Sequence, residues 1–123
     1  MDIEKRIREI AKCLEDIDEN AMCVECKNIL GDEDKDRLND LDYVFDRLTD
    51  ELEHLPYYYI HVGYADPDRY VGTGFYLGSH PSICCLSYEF PYATEEEARE
   101  CIEKHPDIKN DEKYVIEIKK NNV

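Results

Sequence analysis

The spacing of the apolar residues changes at Pro56, and this change most constrains the fold. Before Pro56 they recur in steps of three and four, which is typical of helices that bury one stripe. After it they alternate with period two, as in strands that bury one face. The helical series are Ile3, Ile7, Ile10, Leu14, Ile17, Ala21 and Val24, then Leu38, Leu41, Phe45, Leu48, Leu52 and Leu55.

Residues 1–55 are therefore predicted to form an antiparallel helical hairpin. Between the two series, Gly31 is suited to end the first helix and Asp32 to cap the second. Pro56 ends the second helix because it lacks an amide hydrogen and disfavours helical geometry in the preceding residue. The two stripes hold more apolar residues than a hairpin on a small sheet needs to bury, so we expect a homodimer or a higher oligomer.

Three strands, a helix and a final strand are predicted after the hairpin. The strands are residues 57–64, about 70–77 and 83–90, and Gly72 and Gly74 are expected to permit bulges or close packing against neighbouring tyrosine rings. Thr94 and Glu97 form a capping box for a helix that stops at Pro106. The alternating stretch YVIEIKK predicts the last strand.

The fold class is thus α+β: an N-terminal antiparallel helical hairpin followed by a βββαβ, largely antiparallel sheet with one helix. Residues 1–123 fit a single domain, with an acidic hairpin over 1–55 and an α/β sheet part over 56–123.

The formal charge of −15 is concentrated in the hairpin, where 18 acidic and 8 basic residues precede Pro56. Such a field repels nucleic acid and anionic membranes over a Debye length of about 8 to 10 Å and attracts basic surfaces. It argues against direct binding of nucleic acid or membrane. The alternative is that the acidity only keeps a small domain soluble.

Nine carboxylates lie between Glu33 and Glu53, in the second predicted helix. Asp42, Asp46 and Asp50 recur every four residues, and like charges at that spacing destabilise a helix by a few tenths of a kcal/mol per pair. A basic partner would relieve this cost, although a solvated helix face is the simpler interpretation.

Tyrosines supply the second candidate surface, since residues 55–78 hold six of the ten in the chain. Tyrosine is enriched at binding hot spots because its rigid ring buries a large area at a small entropy cost. The predicted partner-binding residues are Asp36, Asp40, Asp42, Asp46, Asp50, Glu53, Tyr57 and Tyr59.

Metal and catalytic sites are not expected. Cys23 and Cys26, in CVEC, have the spacing of half a zinc site, but two further ligands from Cys84, Cys85, Cys101 or a histidine would be needed, so packed thiols are favoured. His54, His61, His80 and His105 show no arrangement with a nucleophile and an orienting group. We expect a protein that is not an enzyme and needs no cofactor.

Neither a signal peptide nor a transmembrane run is recognisable, and the start MDIEKRIREI is charged. A cytosolic protein is therefore expected.

In length, charge and acidic helix, the chain resembles the small inhibitors of bacterial defence that phages and mobile elements encode, namely anti-CRISPR and anti-restriction proteins that mimic DNA. The resemblance implies an inhibitor, in the host bacterial cytoplasm, that occupies the basic nucleic-acid channel of a protein such as a CRISPR effector nuclease. Three alternatives stay open: an oligomeric sponge that binds a small nucleotide through the tyrosine strands and Arg69 or Arg99, a zinc-stapled adaptor, and an enzyme.

Overall fold

A computed structural model of the protein describes residues 2–18, 28, 40–66, 74–78 and 86–123. Helices and a three-stranded antiparallel sheet make up this part of the chain and confirm the α+β class. The elements are α1 (Ile3–Asp18), α2 (Leu41–Leu52), β1 (Tyr58–Tyr64), β2 (Phe75–Tyr76), α3 (Glu95–Glu103), α4 (Pro106–Lys109) and β3 (Tyr114–Lys120). Within these ranges, every helix is too short or too polar to cross a membrane.

Helices α1 and α2 pack together through their apolar stripes. Arg6, near the start of α1, donates through Nη2 to Glu51 Oε1, near the end of α2, at 2.7 Å. This contact is the one expected of an antiparallel pair. The stripe residues buried in the common core are Ile7, Ile10, Leu14, Leu48, Leu52 and Leu55, and Val44 is buried beside them.

Most of the described stripe residues are buried within the chain itself. Ile3, 44% exposed, is the one described stripe residue that is a large exposed apolar side chain. Ile17, Leu41 and Phe45 are half-buried, and Ala21, Val24 and Leu38 lie outside the described residues, so the oligomeric state stays a prediction.

Helix α2 begins later than the sequence predicts. Asp40 has an extended backbone (φ −89°, ψ 105°), and its carboxylate accepts hydrogen bonds from the amides of Asp42 and Tyr43. A residue in this conformation caps a helix and does not lie inside one. The prediction of one helix from Glu33 to Glu53, capped by Asp32, is therefore wrong; Gly31, Asp32 and Asp36 lie outside the described residues.

The sheet has the order β2-β1-β3, and both pairings are antiparallel. Strand β3 occupies the predicted stretch and pairs along the whole of β1, from Tyr58 with Lys120 to Tyr64 with Tyr114. Ile60 and Val62 are fully buried. The period-two alternation of β1 therefore places one face of the sheet in the core, as predicted.

The predicted third strand is wrong over residues 87–90, which form no strand. Leu86 makes an isolated bridge with Tyr76 of β2, whereas Tyr92 makes one with Tyr58 of β1. The intervening chain passes from one strand neighbour to another, so it cannot keep a continuous ladder. Cys84 and Cys85 lie outside the described residues, as do residues 70–73 of the predicted second strand.

Helix α3 has the predicted start. The Thr94 side chain accepts from the amide of Glu97, and the Glu97 carboxylate accepts from the amide of Ala93 at 3.1 Å. Pro106 follows α3, as predicted, but also opens the short helix α4. This fits the preference of proline for the first turn of a helix, where its missing amide hydrogen costs nothing.

Candidate protein-binding surface

Four carboxylates form a continuous exposed surface on α2 and its C-cap, here called the acidic face. Asp42, Asp46, Asp50 and Glu53 are all exposed. At about 100° per residue they fall within an arc of roughly 80° around the helix axis. None of the four forms an ion pair with another described residue. The structure therefore brings together four of the eight predicted site residues.

The acidic face is less dense than the sequence suggested. Its members span about 16 Å of the helix axis at 1.5 Å per residue, or one carboxylate per roughly 5 Å. One DNA strand presents a phosphate about every 3.4 Å. Because α2 starts at Leu41, the other predicted carboxylates, such as Asp36, do not extend this face within the described residues.

Two further carboxylates of this region have structural partners. Asp40 is exposed, but its side chain caps α2. Glu51 lies beside Arg6, and the hydrogen bond and charge of that guanidinium lower the pKa of Glu51. Glu51 therefore joins α1 to α2 and does not belong to the acidic face.

Tyr57 is buried, with only 6% of its surface exposed. It precedes β1, and its amide bonds to the carbonyl of Leu55 in a tight turn, so the alternation of the strand does not apply to it. Its hydroxyl lies 3.4 Å from Glu89 Oε2 and donates to it. Tyr57 therefore offers little ring surface to a partner, contrary to the expectation from the sequence.

Tyr59 is partly exposed on the sheet face opposite Ile60. It lies between two other aromatic rings, with centroid distances of 5.9 Å to Tyr57 and 5.9 Å to Tyr76. Burial, followed by the charge and hydrogen bond of Glu89, raises the pKa of Tyr57 and of Tyr59. Both hydroxyls stay protonated at neutral pH, and that of Tyr57 donates to Glu89.

A cavity of about 220 Å³ lies between the rings of Tyr57 and Tyr76 and the end of α2. Its walls include Glu53 of the acidic face, Tyr57, Tyr76, Tyr88 and Glu89. Sequence reasoning missed Tyr76, Tyr88 and Glu89 as site residues. The stretch SYEFPY gives an aromatic signal, but its alternation suggested a regular strand and not a cavity wall.

Cys101, one of the possible zinc ligands, has a different role. Its thiol donates to the carbonyl of Gly78 at 3.1 Å, and its Sγ lies 3.0 Å from the Tyr92 hydroxyl. Burial raises the pKa of Cys101, so the thiol stays protonated, whereas zinc binds the thiolate. In the ranges that the structure covers, no cluster of three or more metal-binding side chains occurs; Cys23 and Cys26 lie outside them.

A second cavity, of about 280 Å³, lies between α1 and α3. Its lining combines three cations with three carboxylates: Arg8, Lys12, Lys104, Glu15, Glu97 and Glu100. Arg8 pairs with Glu97 at 2.8 Å. Of the cations expected to hold a nucleotide, Arg99 pairs with Glu95 at 2.7 Å and does not line this cavity, and Arg69 lies outside the described residues.

In comparisons with known proteins, no family model, no curated protein and no solved structure matches the chain. The acidic face and the surfaces around it are therefore the features from which a function can be inferred.

Proposed function

We propose that the protein is a non-enzymatic inhibitor whose acidic face binds the basic nucleic-acid channel of a nucleic-acid-binding protein, in the manner of a DNA-mimic anti-CRISPR protein. The observation that supports this proposal is the row of exposed carboxylates at Asp42, Asp46 and Asp50, which form no ion pair with another described residue. A channel that binds nucleic acid supplies cations along a line and is a suitable partner for such a row.

The energetics of α2 favour a partner of this kind. Each pair of like charges four residues apart destabilises a helix by a few tenths of a kcal/mol. The acidic face therefore holds a small repulsive free energy that the folded chain does not offset with described counter-ions. Cations of a partner would remove this repulsion and would also steer the encounter, because complementary charge raises association rates.

The second candidate function is a sponge for a small nucleotide, and the cavity between α1 and α3 is the observation that favours it. Arg8, Lys12 and Lys104 could contact an anionic ligand there. This candidate is weaker, since Glu15, Glu97 and Glu100 border the same cavity and offset the positive charge. It predicts that purified protein releases a nucleotide on denaturation.

The first prediction tests the acidic face. The triple substitution Asp42→Asn, Asp46→Asn and Asp50→Asn should slow association with a captured basic partner about tenfold at low salt and should flatten its salt dependence. The fold should persist, because these side chains are exposed and away from the core. Surface plasmon resonance at several NaCl concentrations measures both quantities, and nucleic acid should compete with the protein for the same partner.

A matched variant controls for net charge. Glu96→Gln, Asp107→Asn and Glu112→Gln remove three exposed negative charges elsewhere on the molecule. This variant should slow association much less than the α2 variant. Equal effects of the two variants would show that net charge alone steers the encounter, and the acidic face would then be a solvated helix surface.

A further inference from the structure

The 220 Å³ cavity beside α2 has walls from four parts of the chain. Leu52 and Glu53 come from the end of α2, Tyr57 from the turn before β1, and Tyr76 from β2. Tyr88 and Glu89 come from the segment that follows Leu86. The cavity therefore has room for one side chain of a partner.

The charge of the cavity is negative. Glu53 and Glu89 both line it, and the described residues of its lining include no cationic side chain. Glu89 accepts a hydrogen bond from the hydroxyl of Tyr57 at 3.4 Å. A carboxylate has about four lone-pair positions, so Glu89 keeps acceptor capacity for a further donor. A ligand for this cavity should bring positive charge and several N–H groups.

The aromatic walls are held by neighbouring rings. Tyr88 packs edge to face on Phe45 of α2, with centroids 5.0 Å apart, and Tyr76 packs in the same way on Tyr59 at 5.9 Å. Edge-to-face pairs of this kind are favourable arrangements that limit ring rotation. The cavity therefore combines preordered π faces with two carboxylates.

We propose that this cavity binds the arginine side chain of a basic partner protein. A guanidinium is planar, stacks on aromatic faces and donates to carboxylates through a fixed fork, so it satisfies both kinds of wall. A lysine ammonium is a more strongly hydrated point charge and uses the flat ring faces less well. Anionic ligands would meet Glu53 and Glu89 without a counter-charge in the lining.

This inference deepens the proposed function and rests on it for the identity of the partner as a basic protein. Glu53 belongs to both surfaces, so the acidic face leads directly to the cavity. The acidic face would steer the partner, and the cavity would fix the register of the complex by taking one arginine. Desolvated arginine and tyrosine contacts are the usual hot spots of protein interfaces.

A peptide titration tests the cavity without the unknown partner. The probe is acetyl-Gly-Arg-Gly-amide, followed by NMR of the tyrosine ring protons assigned with single Tyr→Phe variants. We expect shifts at Tyr57, Tyr76 and Tyr88, and about tenfold weaker binding of the same peptide with citrulline, which keeps the shape but lacks the charge. Equal binding of the two peptides would overturn the proposal.

Substitutions then locate the site. Glu89→Gln and Glu53→Gln should each weaken the arginine peptide at least about threefold, whereas Glu112→Gln, an exposed site outside the cavity lining, should not. Glu53 is exposed at the helix end, so its variant tests the site even if Glu89→Gln disturbs Tyr57. A peptide titration that shifts none of Tyr57, Tyr76 and Tyr88 would contradict the cavity and leave the acidic face intact. The arginine peptide could bind as expected while the variant with Asp42, Asp46 and Asp50 replaced by Asn associates with the basic partner as fast as wild type. That result would contradict the role of the acidic face and leave the cavity proposal standing.

Discussion

Gly74 shows how one residue fixes the approach of β2 to β1. It has φ +87°, in the left-handed region that favours glycine, and an added Cβ would lie 2.2 Å from the carbonyl oxygen of Val62. The sequence suggested that Gly74 permits a bulge or close packing against neighbouring tyrosine rings. The structure places backbone against it instead, so the constraint is conformational as well as steric.

The residue-scale prediction follows from this contact. Gly74→Ala should lower the free energy of unfolding by more than about 1 kcal/mol, since it adds backbone strain to a clash. Gly63→Ala is the matched control, because its added Cβ would meet His61 Cε1 at an ordinary 3.5 Å. Urea unfolding at neutral pH measures the free energy of unfolding of both variants. A Gly74→Ala variant as stable as the Gly63→Ala variant would contradict the argument.

Other single residues show why a pattern predicts faces better than exact roles. Several aspartates precede α2, and any of them is a suitable cap by type. The extended backbone of Asp40 selects it, and residue type alone does not reveal that conformation. Tyr57 was assigned to a strand face by counting, yet β1 starts one residue later and the turn buries its ring.

At the scale of elements, local signals were sufficient where they agreed with one another. The stretch YVIEIKK alternates without interruption and forms β3 with the predicted bounds, and Thr94 caps α3 as its sequence indicates. The segment between Leu86 and Tyr92 also alternates, but its pairing depends on two different strands. The acidic face was also predicted from local sequence, because its residues recur within one helix. The cavity beside it was not, because its walls are distant in sequence.

The pairing of α1 with α2 gives the element-scale prediction. Arg6 lowers the pKa of Glu51 in the folded state, so their contact stabilises the fold above the unfolded pKa of about 4.3. This stability is lost as the pH falls through the folded pKa. Glu51→Gln should therefore reduce the free energy of unfolding at pH 7 by less than about 1 kcal/mol, because the Glu51 side chain is 38% exposed.

The pH dependence separates this ion pair from simple packing. The difference between wild type and Glu51→Gln should shrink as the pH falls from the unfolded pKa of about 4.3 through the lower pKa of Glu51 in the folded state. Glu112→Gln, which removes one exposed carboxylate from a turn, controls for net charge. Chemical unfolding between pH 3 and pH 7 makes the measurement. A difference that stays constant across this range would mean that packing, and not the ion pair, is responsible.

At the scale of the whole molecule, the net charge of −15 opposes compaction. A chain of this length has a radius of gyration of about 14 Å when folded. At 10 mM salt the Debye length is about 30 Å, so charges across the molecule repel one another; near 100 mM it is about 10 Å and most of this repulsion is screened. Screening also weakens exposed pairs such as Arg8 with Glu97, so the two effects oppose each other.

Repulsion should dominate, because Asp and Glu number 30 against 15 Lys and Arg, and half of the carboxylates therefore have no cation to match them. We predict that the melting temperature rises by a few degrees between 10 and 150 mM NaCl, as followed by circular dichroism. The variant with Asp42, Asp46 and Asp50 replaced by Asn should show a smaller rise, since the densest local repulsion has been removed. If the melting temperature were constant or fell with salt, the ion pairs would outweigh the repulsion. The unpaired carboxylates of the acidic face would then hold no repulsive free energy for a basic partner to relieve.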